Sequence, residues 1–121
     1  MLSRLQEKVN GNANLLRRGR FVNALVLIEV GATPWLVRFV DGRVASVAKG
    51  PFVMPTWTFA VRAPEDAWAG FWAKNPRPGF HDIMALIKRR VMRVEGDLQI
   101  FMSNLRFFKE VLATLRAGEA A

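Results

Sequence analysis

The sequence contains no cysteine, no tyrosine and a single histidine, and these absences exclude several kinds of site. Without cysteine there can be no disulfide, thiolate metal site or cysteine nucleophile. The one histidine, His81, has Asp82 beside it, but this pair is better explained as a helix start, where Asp82 favours the helix dipole. No glycine-rich phosphate loop and no spaced set of metal ligands is present. We therefore expect no catalytic residues, no metal site, no cofactor and no enzyme activity.

Acidic residues are also few: the sequence has ten aspartates and glutamates but 18 lysines and arginines, which gives a net charge of +8. Such a balance favours anionic partners, whether nucleic acid, a membrane surface or an acidic ligand. The longest stretch without a charge, residues 50–61, contains two prolines and is well short of the ~18 residues that a membrane span needs. The N-terminus lacks the apolar block of a signal peptide. We expect a soluble, cytoplasmic protein.

What the sequence does have is nine phenylalanines and four tryptophans, and the densest apolar stretch is residues 91–115. Met92 and Val94 alternate with charged residues, as in a strand with one buried face. Gly96 can turn the backbone, and Asp97 can cap the helix that follows. On one helical wheel the apolar residues of 98–115 cover about 220°, whereas a helix on a single sheet needs about 100°. This excess predicts either a second covering layer or an apolar cavity.

The remaining segments predict an N-terminal basic helix interrupted near Asn10–Asn12, four strands, two short helices, a fifth strand and the long helix. Asp41 and Gly42 indicate a two-residue hairpin. In the strand 56–62, Trp57 is expected to point inward. The order predicts an α+β domain in which the helices segregate from a mostly antiparallel sheet. We divide the chain into a basic helical segment (1–20), a main domain (21–116) and a flexible tail (117–121).

Two segments carry a resemblance to a known family: TWTFAVRAPEDAWAGFWAKNP and HDIMALIKRRVMRVEGDLQIFMSNL. In these segments a strand leads into a helix whose first turn is acidic, and a second, short helix follows. A strand of alternating basic and hydrophobic residues comes next and ends at Gly96-Asp97, ahead of an apolar helix. This order resembles the sterol carrier protein 2 (SCP2-like) lipid-binding domain over about residues 21–115. The resemblance implies a five-stranded, mostly antiparallel sheet with helices on one side and an apolar tunnel between sheet and helices, used for sterols, fatty acyl chains or similar lipids. Lys88, Arg89 and Arg90 depart from it, because they stand where the family often has a glycine-containing turn.

We predict a non-catalytic lipid-binding or carrier domain whose pocket lies between residues 91–115 and the two short helices of 64–89. A solid aromatic core and a protein-interaction groove, which includes homodimerisation, are the alternatives. Asn104 falls within the apolar arc and could meet a polar head of the ligand or a backbone group. The candidate ligand-binding residues are Trp68, Phe71, Trp72, Phe80, Met84, Ile100, Phe101, Met102, Asn104 and Phe108.

The basic residues cluster in two places, at Lys88, Arg89 and Arg90 and at Arg17, Arg18 and Arg20. Single-stranded nucleic acid binders display aromatic side chains among such residues, whereas the aromatic residues here fall on apolar faces, so nucleic acid is the less favoured partner. We predict that Lys88, Arg89 and Arg90 contact an anionic membrane surface near the mouth of the pocket. A solubilising charge cluster is the alternative.

Overall fold

The computed structural model describes residues 2–116. A 3-10 turn at Leu2–Arg4 precedes the first helix. The helices are α1 (Leu5–Asn10), α2 (Ala13–Arg18), α3 (Glu65–Phe71), α4 (Ile83–Lys88), α5 (Leu98–Ser103) and α6 (Leu105–Ala113). The strands are β1 (Ala24–Val30), β2 (Thr33–Val40), β3 (Arg43–Lys49), β4 (Phe59–Ala63) and β5 (Arg93–Gly96). The predicted tail, 117–121, lies outside the described residues.

The five strands form one sheet in the order β3-β2-β1-β4-β5. The β1–β2, β2–β3 and β4–β5 pairs are antiparallel, and only β1 and β4 run parallel. The hairpin at Asp41 and Gly42 forms as predicted, with φ values of 51° and 80° that suit a two-residue turn of type I′. The predicted α+β class and the five-stranded, mostly antiparallel sheet are confirmed.

The N-terminal helices lie against the edge of this sheet, and their predicted interruption is present. Asn12 caps α2 by accepting a hydrogen bond from the Leu15 amide. Asn10 holds β3 with two bonds, because its side-chain amide donates to the Val44 carbonyl at 3.0 Å while its oxygen accepts from the Val44 amide at 2.9 Å. The free edge of β3 is thereby covered at Val44, which protects it from pairing with other chains.

One face of the sheet, here called the inner face, carries the core and the helices. Cross-strand neighbours such as Val26 and Val37, or Ile28 and Val61, lie directly opposite each other on it and are buried. Apolar side chains from every α-helix pack onto this face in a single cluster. The inner face is therefore where a ligand site between sheet and helices would have to form.

The opposite face, here called the outer face, is crossed by residues 50–58, which connect β3 to β4 over the two strands between them. This crossing explains why Leu27 and Ala60, which point to the outer face, are 3% and 0% exposed. The prediction that Trp57 points inward was wrong. Its ring lies 5.7 Å from the guanidinium of Arg62, an outer-face residue, since the regular strand begins only at Phe59.

The predicted single long helix was also wrong, because the chain breaks at Asn104 into α5 and α6. Asn104 has φ −120° and ψ 29°, and its side-chain amide donates to the Ile100 carbonyl four residues earlier, where it competes with the helical backbone. Leu98 and Met102 of α5 are about half exposed. The 220° arc therefore joined the faces of two separate helices, and of these α5 buries only Phe101.

The turn and the cap at the start of α5 form as predicted. Gly96 adopts φ 102°, in the left-handed region, and Asp97 accepts a hydrogen bond from the Ile100 amide.

Within residues 2–116, no helix has both the length and the apolar character that crossing a membrane requires.

Candidate functional site

A cleft of about 440 Å³ opens at the edge of the inner face where β1 turns into β2. Its floor comes from the ends of β1, β2 and β3, one wall from α3, and the other from the N-terminal 3-10 turn. The residues that line it are Leu2, Val30, Thr33, Trp35, Lys49, Glu65, Trp68, Ala69 and Trp72. Most of this lining is apolar, with charge only at Lys49 and Glu65.

The α3 wall is built from Trp68 and Trp72, which are one helical turn apart and therefore share a face. Their rings stack with centroids 4.8 Å apart and planes inclined by 27°. Each indole N–H is bonded within the protein, because Trp68 Nε1 donates to the Glu29 carbonyl and Trp72 Nε1 to the Leu112 carbonyl, both at 2.9 Å. Trp68 is 0% and Trp72 5% exposed, so the two rings, with their polar atoms bonded internally, form an apolar and almost fully covered backing to the cleft.

Charged and apolar groups both border the cleft. The Lys49 ammonium lies 5.7 Å from the centre of the Trp35 ring, a cation–π distance, and its side chain is exposed. Glu65, in the first turn of α3, is also exposed. Leu2, in contrast, is 1% exposed and closes the cleft from the N-terminal side. The cleft therefore offers an apolar interior with one cation and one anion in contact with water.

Of the residues predicted to bind ligand, the structure brings only Trp68 and Trp72 to this cleft. Phe101 and Phe108 instead pack around Phe59, with ring centroids 5.3 and 4.9 Å from it, and Phe39 stands edge-on to Phe108 at 5.6 Å. These rings form an aromatic cluster at aromatic contact distances in the centre of the inner face. None of these rings lines the cleft.

The other predicted residues are spread around this cluster. Phe71 is 1% exposed, 6.3 Å from Trp68, and Phe80 is buried under the guanidinium groups of Arg77 and Arg89. Met84 and Ile100 pack on the core from its margin, Met102 is 51% exposed, and Asn104 bonds the Ile100 backbone. A pocket between residues 91–115 and 64–89 stays a prediction.

Sequence reasoning missed the residues that form the floor and the far wall of the cleft, above all Leu2, Trp35 and Lys49. Trp35 lies on the inner face near the start of β2 and is only partly buried. A large aromatic residue beside a hairpin turn, paired with Lys49 on the neighbouring strand, is the signal that could have found it.

The predicted membrane residues follow directly after α4. Lys88, Arg89 and Arg90 are all exposed. Arg90 shares a surface hollow with Arg62 and Arg93. Arg90 therefore lies next to the outer face of the sheet, whereas the Arg89 guanidinium lies over the ring of Phe80. Contact of these residues with a membrane near the pocket stays a prediction.

His81 and Asp82 adopt the structural role expected of a helix start. Asp82 caps α4 by accepting from the Met84 amide, and it pairs with Lys109 at 2.8 Å. Burial alone would raise the pKa of Asp82, but the hydrogen bonds from Lys109 and Met84, with the charge of Lys109, outweigh it and hold the pKa below its usual value. Residues 2–116 contain no group of three or more acidic or histidine side chains placed to hold a metal ion.

The fold built by these elements is found in known structures. The crystal structure of a sterol carrier protein 2 superposes with a TM-score of 0.77 over 97% of this chain and 92% of its own, at 11% identity. UbiJ-SCP2, a ubiquinone synthesis protein, gives 0.59 at 17% identity over 96% and 88%. Palmitated SCP2L2 from Aedes aegypti gives 0.59 at 14% identity over 92% and 89%.

No protein-family model matches the sequence, and no curated protein matches it. At identities of 8–17% the superpositions establish the fold and nothing finer. The chain has the SCP2-like fold over nearly its whole length.

Proposed function

We propose that this chain, which has the fold of sterol carrier protein 2, is a non-catalytic lipid carrier that holds a sterol, a fatty acyl chain or a similar ligand in the cleft beside Trp68 and Trp72. The observation that supports this most is the stacked pair of indoles whose N–H groups are already bonded inside the protein. Such a wall has no polar atom left to satisfy, so it favours an apolar occupant over water.

The size of the cleft is compatible with this occupant. Its volume of about 440 Å³ is within the range of about 300–1,000 Å³ that small-molecule pockets have. Each CH₂ group removed from water contributes about 0.8 kcal/mol, so a sixteen-carbon chain gains on the order of 12 kcal/mol before the costs of binding. Palmitate is the natural first probe, because one neighbour of the same fold was solved in palmitated form.

The polar end of the ligand would lie at the water-exposed side of the cleft. Lys49 provides an ammonium there that can pair with a carboxylate, while Trp35 beneath it contacts the first methylene groups. Glu65 opposes it from α3 and would disfavour a second anionic group. We therefore expect the cleft to bind an acyl ligand with a single carboxylate more tightly than a phospholipid, which carries a phosphate.

The remaining predicted residues belong to the proposal as a second layer. Phe71 lies against Trp68, and the Phe101–Phe108 cluster lies behind it. A ligand longer than the cleft would contact Phe80, Met84, Ile100, Met102 or Asn104 only after the helices move away from the sheet. We also keep Lys88, Arg89 and Arg90 as a proposed contact with anionic membrane, at about 1 kcal/mol for each residue close to the surface.

The test uses displacement of a fluorescent fatty acid by palmitate, with native mass spectrometry of the purified protein to identify any lipid that copurifies. Ala69→Phe places a ring in the cleft from an exposed helix position, and Ala13→Phe makes the same change at an exposed position of α2, away from the cleft. We expect Ala69→Phe to lose most of the binding while Ala13→Phe retains it.

Three outcomes would count against this function. Wild-type protein that binds neither palmitate nor a sterol refutes the carrier proposal. If Ala69→Phe and Ala13→Phe bind palmitate equally well, the ligand does not occupy the cleft. The same titration with Phe101→Leu then tests whether it binds at the second layer. A reversible homodimer in sedimentation that Ala69→Phe abolishes, in protein that binds no lipid, assigns the cleft to protein interaction.

A further inference from the structure

The connection between β3 and β4, residues 50–58, holds two adjacent large apolar side chains almost entirely in water. Val53 is 94% exposed and Met54 is 91% exposed, whereas Phe52 and Pro55 on either side of them are half buried. Met54 has φ 45°, in the left-handed region that is uncommon for residues other than glycine. The backbone turns at this point, so the two side chains form a tip that projects from the segment.

Phe52 shows on which face of the sheet the tip lies. Its ring is near Gly50, whose amide donates to the carbonyl of Pro34 at 2.8 Å. Pro34 is paired with Glu29, and Glu29 with Arg62, in the outer-face register. The segment therefore leaves β3 on the outer face.

The outer face around the segment is cationic. Arg62 bonds the only two carboxylates that the described strands place there, Glu29 at 2.8 Å and Glu95 on the neighbouring strand. The outer-face arginines with no acidic partner among the described residues, all of them exposed, are Arg38, Arg43 and Arg93. Because the carboxylates are already paired, the remaining charge on this face is positive.

We propose that Val53 and Met54 insert into the interface of an anionic lipid bilayer, with the outer-face arginines directed at the headgroups. Apolar side chains beside cations match the boundary between acyl chains and anionic headgroups. Two side chains are far too few for a stable protein interface, which buries about 800 Å² on each partner. The inference goes beyond the carrier function, because it concerns a surface that the cleft does not use.

The tip is close to the cleft along the chain. Val53 lies four positions after Lys49, the cleft residue that ends β3, and four steps along an extended chain span at most about 14 Å. Insertion of the tip therefore brings Lys49 within about 14 Å of the bilayer interface.

Because the sequence lacks cysteine, a single introduced thiol can report on one position. Val53→Cys, labelled with an environment-sensitive fluorophore, is compared with Leu98→Cys carrying the same label. Leu98 is about half exposed, but it lies on α5, which packs through Phe101 onto Phe59 of the inner face. The probes are vesicles of phosphatidylcholine alone or mixed with phosphatidylserine, at low and high salt, without added ligand.

We expect the label at position 53 to shift to the blue and brighten with phosphatidylserine vesicles, less so at high salt, and the label at position 98 to remain unchanged. In co-sedimentation, Val53→Asp with Met54→Asp should lower vesicle binding by about tenfold or more. Leu98→Asp with Gln99→Asp adds two aspartates at exposed α5 positions and should lower it far less.

Several results overturn the proposal. The first is wild-type protein that does not bind anionic vesicles. The second is a label at position 53 whose emission stays unchanged while the protein sediments with the vesicles. The third is an equal loss of vesicle binding in the two double variants. A change in the label that follows protein concentration without vesicles assigns the tip to a second copy of the chain instead. Since no ligand is present, none of these results bears on the cleft.

Discussion

Replacing Trp72 tests directly how the cleft is held together. The side chain is 5% exposed, its ring stacks on Trp68 at 4.8 Å, and its N–H donates to the Leu112 carbonyl at 2.9 Å. Truncation of a buried tryptophan to alanine costs about 3–5 kcal/mol, and the loss of the hydrogen bond is part of the same change. We expect Trp72→Ala to lower the free energy of unfolding by about 4 kcal/mol, a large share of the total of about 6–18 kcal/mol for a chain of this length.

The same structure predicts a smaller loss for Trp72→Phe. Phenylalanine keeps an aromatic ring against Trp68 but has no donor for Leu112, so we expect a loss of about 1–2 kcal/mol. Urea unfolding followed by far-UV circular dichroism measures both variants. At a slope of about 2 kcal/mol/M, Trp72→Ala should lower the midpoint by about 2 M without changing the slope.

Two results would refute this reasoning. A loss of less than about 1 kcal/mol for Trp72→Ala would mean that the indole is not packed as described. Equal losses for Trp72→Ala and Trp72→Phe would mean that the hydrogen bond to Leu112, and not the stacked ring, holds the wall.

Three further predictions concern single contacts. Asn10→Ala should lower the free energy of unfolding by about 1–2 kcal/mol, because it removes both bonds to Val44 at the sheet edge, while Asn14→Ala, at an exposed position of α2, should change it little in the same urea assay. Gly19→Ala should cost about 1–3 kcal/mol in thermal unfolding, because the new Cβ would overlap the Phe107 ring; an unchanged melting temperature would contradict this packing. Since the pKa of Asp82 is lowered by folding, its charge stabilises the protein above pH 3.8 and this contribution is lost as the pH falls through the lower folded-state value. Asp82→Asn, which can still cap α4, should therefore flatten the acid limb of the urea midpoint against pH, and identical limbs would show that the pairing with Lys109 contributes nothing.

Local signals in the sequence predicted local structure well. The interruption after Asn10, the hairpin at Asp41, and the caps at Asp82 and Asp97 each depend on a side chain or a turn that acts within a few residues. Because the physics of these features is short-ranged, neighbouring residues are sufficient to predict them. The order of the elements then limited the fold to one α+β arrangement.

The errors in the predicted structure arose where the local sequence pattern is compatible with two conformations. Asn104 could continue an apolar helix or break it, and the hydrogen bond that its side chain makes to the Ile100 carbonyl favours the break. Trp57 could have extended β4 on the inner face, but the segment before Phe59 has to return across the outer face. Neither choice is decided by periodicity alone.

The sequence by itself determined the elements, the sheet and the apolar character of α3, including the two tryptophans of the cleft. Only the tertiary structure decided which surfaces meet them: Leu2 from the N-terminus, Trp35 and Lys49 from two strands, and the exposed tip at Val53. Periodicity tells which side of an element is apolar, but it does not tell which other element covers that side. That choice depends on the packing of residues far apart in the chain, and the same packing leaves a cleft at Trp68 and a filled aromatic cluster at Phe108.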